Sequence, residues 1–334
     1  MVEVVDQYTS EQHFPFQRDD NLYPSKKLFQ TKFWIFGLIL LICPLRLIGI
    51  LTTLTVLMLL MKIAFAFGPP NFEDLSAWRR WILSATPRMC RTVLWWFGVV
   101  KIRRYYVTQS ELEEYRKEIN AEEDDEGTEP VPKKEACIVV SNHVSVFDAF
   151  TIIYELGLMS VVAKSDTANY PIIGFMLKKM NTLFVGPDTK SQLIPTMIKR
   201  AETYDGTTPR LLIFPEGTTT NGKQIIHFHS GAFVPGKAVQ PIVLRYPWKY
   251  FNPAWIGHDD ASYLKQLMCQ MFQKVDVVHF PPYYPNVEER NDPSLFAENV
   301  RKIMVLGANM HKKTKRPNFE LSSFKYLRRS KKNE

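Results

Sequence analysis

Apolar residues are distributed unevenly along the chain. Residues 33–67, FWIFGLILLICPLRLIGILTTLTVLMLLMKIAFAF, contain as breakers and charges only Pro44, Arg46 and Lys62. A bilayer span takes about 20 apolar residues, so a run of about 35 is long for one span and short for two. Pro44 and Arg46 divide it into an arm at 33–45 and a longer arm at 47–67. Two readings follow: a single transmembrane span near 47–67, or a helical hairpin embedded in one leaflet. A buried hairpin of a soluble core is disfavoured by the length and polarity of the run. It is not a cleaved signal peptide, because a polar extension over 1–32 precedes it and no small-residue cleavage site follows. The pattern predicts a membrane protein.

Beyond the apolar run the period changes. Residues 73–97 show helical spacing with Trp78, Ile82, Leu94 and Trp95 apolar and Arg79, Arg80, Arg88 and Arg91 basic. This predicts an amphipathic segment at a membrane interface or a core-facing surface helix, broken or kinked by Pro87. Strand-like residues follow at 99–107, and then an acidic loop, Glu122-Glu123-Asp124-Asp125-Glu126, with Gly127, Pro130 and Pro132. After it, short apolar runs alternate with helical stretches. The strands expected are 136–141, 161–164, 182–185, 211–214, 241–245 and 275–280; the helices expected are 146–156, 172–180, 191–204, 262–273 and 293–306. That alternation predicts an α/β domain, a layered mixed or parallel sheet with helices on both faces, over about 70–310 behind the membrane-embedded helical segment.

Composition narrows the class. At 46% hydrophobic and 23% charged, the 334-residue chain is not a disordered protein. Cys43, Cys90, Cys137 and Cys269 form no C-x-x-C pair, which argues against a disulfide framework or a zinc ribbon. The absence of an N-x-S/T sequon agrees with a cytosolic face. The formal charge of +8 is a property of one end: residues 308–334 hold nine Lys/Arg against Glu320 and Glu334, which is +7. A near-neutral body with a basic tail (311–334) suits an anionic membrane surface at least as well as nucleic acid, and no nucleic-acid partner is expected; or else the tail is simply a solvated terminus. Lys331 and Lys332 stand four and three residues from the end, as in the dilysine signal that retrieves membrane proteins to the endoplasmic reticulum. That signal is read in the cytosol, so the expected site is the endoplasmic reticulum membrane with the tail and active site on the cytosolic face.

Two stretches carry candidate chemistry, each directly after an apolar strand. The first is Ser141-Asn142-His143-Val144-Ser145-Val146-Phe147-Asp148. With His143 in the turn and Asp148 in the first helical turn, the carboxylate can reach back to the imidazole and make it a general base for a hydroxyl. Ser145-x-x-Asp148 also matches a capping box, so these residues alone leave helix capping and catalysis both open. The second is Phe214-Pro215-Glu216-Gly217-Thr218-Thr219-Thr220-Asn221-Gly222, a turn in which Gly217 permits close backbone approach and the hydroxyls supply donors. No G-x-S-x-G elbow, Walker loop, G-x-G-x-x-G or EF-hand loop occurs. His227 and His229 form an H-x-H pair that on a strand could hold a metal, but no H-E-x-x-H or further carboxylate accompanies it, so no metal is expected.

Taken together, N-H-x-x-x-x-D (Asn142, His143, Asp148), F-P-E-G-T (214–218) and V-P-G-K-A-V-Q-P-I-V-L-R-Y-P (234–247) resemble the glycerolipid acyltransferase family. E-G-T-T-T-N, G-A-F-V-P-G and Q-P-I-V-L-R-Y-P look most like its lysophosphatidylcholine/lysophosphatidylethanolamine acyltransferase branch, as do 280–285 and 292–301. The resemblance implies an acyl-CoA-dependent lysophospholipid acyltransferase with no cofactor beyond acyl-CoA as co-substrate. His143 would be the base and Asp148 its orienting partner, with no covalent intermediate. Asn142, Glu216, Gly217 and Thr218 would bind substrate, while Pro235 and Pro241 would only shape the site.

Two departures bear on the acceptor. The family often carries Arg after E-G-T, where this chain has Thr219, and its second motif usually ends in Arg, which 183–188 lack. The first points away from lysophosphatidic acid and toward a phosphodiester acceptor; the second leaves Lys164, Lys178 or Lys179 to meet the phosphate. Larger relatives of the branch carry calcium-binding loops; none occurs here, so no calcium dependence is expected. The alternatives to the leading reading are a lysophosphatidic acid acyltransferase, a CoA-independent transacylase or phospholipase using the same pair, and an inactive membrane scaffold.

Overall fold

A computed structural model describes residues 41–66, 75–121, 135–186, 190–248, 252–256, 260–270, 272–312 and 318–322. The 1–32 extension, the apolar arm up to residue 40, the acidic loop at 122–126 and the dilysine end lie outside them.

The apolar run forms one described helix, α1 (Cys43–Phe65), 23 residues with mean hydropathy 2.2 in its most apolar window. At about 1.5 Å per residue it is long enough to cross a bilayer core of about 30 Å. Pro44 does not divide α1 but sits in its first turn, where its missing N–H costs nothing. Arg46 is likewise no divider. It lies inside the helix, buried, donating to the carbonyl oxygens of Met268 and Gln270. The hairpin reading concerns residues before 41 and so falls outside the described part. One stripe of α1 is buried, through Arg46, Ile50, Leu54, Leu57, Met61 and Ala64, at the three-to-four spacing of a helical face. The opposite stripe, Leu45, Ile48, Leu51, Val56, Leu59 and Ile63, is exposed. The helix is apolar all round, with one side packed on protein and the other exposed.

The amphipathic stretch resolves into two helices, α2 (Ala77–Leu83) and α3 (Thr86–Trp96), with Pro87 in the first turn of α3. Trp78, Trp81 and Trp95 are exposed. Arg79, Arg80 and Arg91 donate to the carbonyls of Ala64, Leu75 and Val99, so these basic groups also tie the segment to its neighbours.

The main sheet has seven strands in the order β1-β8-β7-β2-β5-β3-β4. They are β1 (Val99–Tyr106), β2 (Ile138–Ser141), β3 (Met159–Lys164), β4 (Leu183–Val185), β5 (Arg210–Ile213), β7 (Val239–Arg245) and β8 (Gln273–His279). Strands β7, β2, β5, β3 and β4 run parallel; β8 is antiparallel to β7, and β1 is parallel to β8. A second, two-stranded sheet pairs β6 (Gln224–Ile225) with β9 (Glu320–Leu321). Every residue of β2 and β5 is buried, as a parallel sheet covered on both faces requires. Alternate residues feed two cores. Val139, Leu212, Ile242 and Val277 join α1, α3 and α5 (Phe147–Leu156) on one face. Ile138, Val140, Ile213 and Val243 join α4 (Gln109–Glu118) and α10 (Pro293–Met310) on the other. The layered α/β reading holds, with helices on both faces.

Among the remaining helices, α6 (Ile173–Lys179), α7 (Lys190–Thr203) and α8 (Asp260–Met268) match expected ones; α8 ends early because Gln273 already pairs in β8. The pattern does not predict α4 or the short α9 (Val287–Asn291). Both begin with capping boxes, Thr108/Glu111 and Asn286/Glu289, which are legible in the chain as T-x-x-E and N-x-x-E.

Where α1 crosses α3, Gly49 faces Trp96, and a Cβ there would lie 2.2 Å from the indole ring. Gly49→Ala is therefore expected to destabilise the folded protein by about 1–3 kcal/mol. A lowered melting temperature in detergent, followed by tryptophan fluorescence, checks it; an unchanged one would mean that α1 does not pack there.

Candidate active site

The central strand of the sheet is β2, and its C-terminal end opens into the turn carrying His143. Paired on either side, β5 leads into the Phe214–Thr220 turn and β7 into Tyr246. The carboxyl ends of parallel strands thus bring three loops to one place.

His143 and Asp148 meet: Nδ1 lies 2.7 Å from Asp148 Oδ2. Oδ2 also accepts from the backbone N–H groups of Val144 (2.6 Å) and Ser145 (2.9 Å), and Oδ1 from the Tyr246 hydroxyl (2.5 Å). Because the carboxylate only accepts, the network assigns the imidazole proton to Nδ1 and leaves a lone pair on Nε2. Asp148 is fully buried, while the His143 side chain is 25% exposed. The imidazole stacks on Phe214, with ring centroids 4.1 Å apart. One carboxylate makes all of these hydrogen bonds. Asp148 caps the backbone of Val144 and Ser145 while holding His143. Ser145 does not complete a capping box, since its Oγ lies 3.0 Å from the Tyr263 hydroxyl instead.

Two motif residues have other partners than the resemblance implies. Glu216 is fully buried, and its oxygens accept from the backbone N–H of His143 (2.7 Å) and of Ile226 (3.2 Å). Asn142, also buried, spans to β7, donating to the Leu244 carbonyl (2.9 Å) and accepting its N–H (2.8 Å). Neither side chain faces open space to meet a substrate. They fix the backbone on which His143 stands. Gly217 is exposed with φ 70°, the left-handed turn for which glycine is suited, and Thr218 is half-buried beside it. Thr219, which occupies the position of the family's arginine, donates to the Trp255 carbonyl (2.6 Å). Thr220 N–H donates to the His143 carbonyl (2.9 Å), and Trp255 N–H to that of Val144 (2.8 Å), so loops from β5 and from 252–256 clasp the turn.

Of the remaining candidates, Lys164 and Lys178 are exposed, and Lys179 lies over the Phe65 ring of α1. His227 and His229 are not on a strand, which removes the premise of a one-faced pair; His227 Nδ1 lies 3.3 Å from Glu298 of α10. Among the described residues, no three His, Cys, Asp or Glu side chains converge as a metal site. The sequence reading gives no role to Phe214, Tyr246 or Tyr263. Phe214 and Tyr246, each just past an apolar strand and inside a motif, stand where a site residue could be sought; Tyr263 has no such signal.

Burial pushes the Glu216 carboxyl up to about 8; the neighbouring charge of Asp148 adds to the rise, against the two backbone N–H groups and Arg301. A folded pKa above the ordinary 4.5 means stabilisation present below that value and lost as pH rises through about 8. Wild-type melting temperature is expected to fall across this window relative to Glu216→Gln, which cannot ionise; parallel curves would refute it. Glu216→Ala orphans two buried donors and is expected to cost roughly 1–3 kcal/mol for each.

Residues 124–245 match the acyltransferase family model. The chain is 31% identical over 252 residues to lysophospholipid acyltransferase LPEAT1 of Arabidopsis thaliana, covering 72% of this chain and 62% of that protein. It is 39% identical over 178 residues to lysophosphatidylcholine acyltransferase 2 of Homo sapiens (52% and 32% covered). It is 30% identical over 256 residues to lysophosphatidylcholine acyltransferase 1 of Danio rerio (74% and 45% covered). The chain thus spans between about a third and three fifths of the length of these relatives. The crystal structure of the 1-acyl-sn-glycerophosphate (LPA) acyltransferase of Thermotoga maritima is similar at TM-score 0.48 and 17% identity, over 77% of this chain and 92% of that one. The matched segment holds the His143–Asp148 pair, the E-G-T turn and β7, and over it the chain is similar to the acyltransferase family and, among the relatives named, to lysophosphatidylcholine and lysophospholipid acyltransferases.

Proposed function

We propose that the protein transfers an acyl chain from acyl-CoA to the free hydroxyl of a lysophospholipid, with lysophosphatidylcholine or lysophosphatidylethanolamine as acceptor. The observation that carries this is the partly exposed His143 ring held through Nδ1 by a buried Asp148, an arrangement in which Nε2 of the neutral imidazole is the acceptor. In this reading the acceptor hydroxyl gives its proton to Nε2 as its oxygen attacks the thioester carbonyl. The tetrahedral adduct then collapses, the C–S bond breaks, and the imidazolium returns the proton to the departing CoA thiolate. Asp148 stays ionised and stabilises the imidazolium that forms between the two steps. No acyl group is carried on the enzyme, and neither a metal nor a further cofactor takes part.

Thr219 supports the choice of acceptor. A neutral hydroxyl engaged with a backbone carbonyl supplies no charge for a phosphate monoester, which favours a phosphodiester head group over lysophosphatidic acid. The exposed apolar stripe of α1 and the outward Trp78, Trp81 and Trp95 support residence at a membrane, where the acceptor is found. The dilysine-like end and basic tail support the endoplasmic reticulum, with the active site on its cytosolic face.

Purified protein given one acyl-CoA and a panel of lysophospholipids is expected to form diacyl product, followed by mass spectrometry. His143→Ala should lower the rate about 10²–10⁴-fold, the share a positioned general base supplies. Asp148→Asn should lower it less severely or equally, and a chelator should change nothing. Failure of the folded wild type to acylate any acceptor would overturn the reading.

A further inference from the structure

The carboxylate of Asp148 has a partner that the His–Asp signature does not contain. Three N–H groups from its own turn crowd Oδ2, while Oδ1 receives the hydroxyl of Tyr246, the first residue beyond β7 and 98 positions away in sequence. An O–H···O⁻ separation of 2.5 Å is that of a charge-assisted bond. The phenol is buried, its ring leaning on Phe147, the residue before Asp148. Burial first, and then the Asp148 charge, hold its ionisation well above the usual tyrosine value, so it keeps the proton it donates throughout the neutral range.

A hydrogen bond to an ionised carboxylate withdraws charge from it and makes it a weaker partner for a neighbouring cation. An Asp148 without this donor would hold the imidazolium more tightly, and His143 would stay protonated at a higher pH. We propose that Tyr246 is a positioning residue that sets the basicity of His143 through Asp148, keeping Nε2 free to accept a proton near neutrality. This rests on the reading of His143 as general base. The other titratable groups around the pair are Glu216 from the β5 loop, whose carboxyl the Asp148 charge helps to keep protonated, and Tyr263 of α8. Arg301 of α10 acts through Glu216. Tyr263 reaches Ser145 Oγ and donates to the Pro253 carbonyl, so it braces the turn without touching Asp148.

The test is Tyr246→Phe, with Tyr263→Phe as the bracing control. Two quantities are measured: the acid limb of kcat/KM against pH, and the titration of the His143 imidazole by 15N NMR in substrate-free protein. The His143 resonance is assigned by its loss in His143→Ala. In Tyr246→Phe both midpoints are expected to rise together by about 0.5–1 pH unit, the effect of removing one donor from the charged form. In Tyr263→Phe the rate falls with no shift. If Tyr246→Phe does not fold, 3-fluorotyrosine at position 246, a stronger donor, should move both midpoints down. An unmoved His143 midpoint in the folded Tyr246→Phe or 3-fluorotyrosine-246 protein, or an equal shift in Tyr263→Phe, would overturn the proposal. The NMR titration needs no acyl transfer, so it stands even if the acyltransferase reading fails.

Discussion

A fully buried carboxylate organises this protein. Moving an ionised Asp148 out of water costs several kcal/mol unless it is well satisfied, and here four donors converge on it. Those donors come from the turn after β2 and from the end of β7. The carboxylate itself stands in the first turn of α5, where the helix dipole favours negative charge. Satisfying one charge therefore requires helix, turn and distant strand end to be in register. The same geometry fixes the His143 ring through its Nδ1.

Glu216 and Asn142 extend this logic from side chain to backbone. One receives the His143 N–H and the other ties the preceding residue to Leu244. Thr220 and Trp255 complete the clasp from two further loops. Of the motif residues, His143 and Asp148 form a hydrogen-bonded pair, while Asn142 and Glu216 hold the backbone around it. Gly217 and Thr218 remain on the open side.

The apolar helix α1 is built on the same domain. Its buried stripe enters the core that also covers one face of the sheet, where Gly49 lets α1 approach Trp96 closely. Arg46 shows why hydropathy alone misread the run. A guanidinium that would be costly in lipid is turned inward onto two carbonyls at the end of α8.

Much of this was legible in the chain. Alternating apolar runs gave the order of strands and helices within a few residues, because burial on both faces of a parallel sheet demands continuous Val, Ile and Leu. The five-residue spacing of His143 and Asp148 placed the pair, since contact across one turn is a local property. The two missed helices were announced only by capping boxes, as their sequences are mostly polar. Tertiary structure alone decided which strands are neighbours, and with that everything lying across the sheet. Neither the antiparallel β7–β8 pairing nor the burial of Glu216 follows from local pattern. Nor does the meeting of Tyr246 with Asp148, because contacts between residues about a hundred positions apart depend on strand order, to which no short stretch of sequence is sensitive.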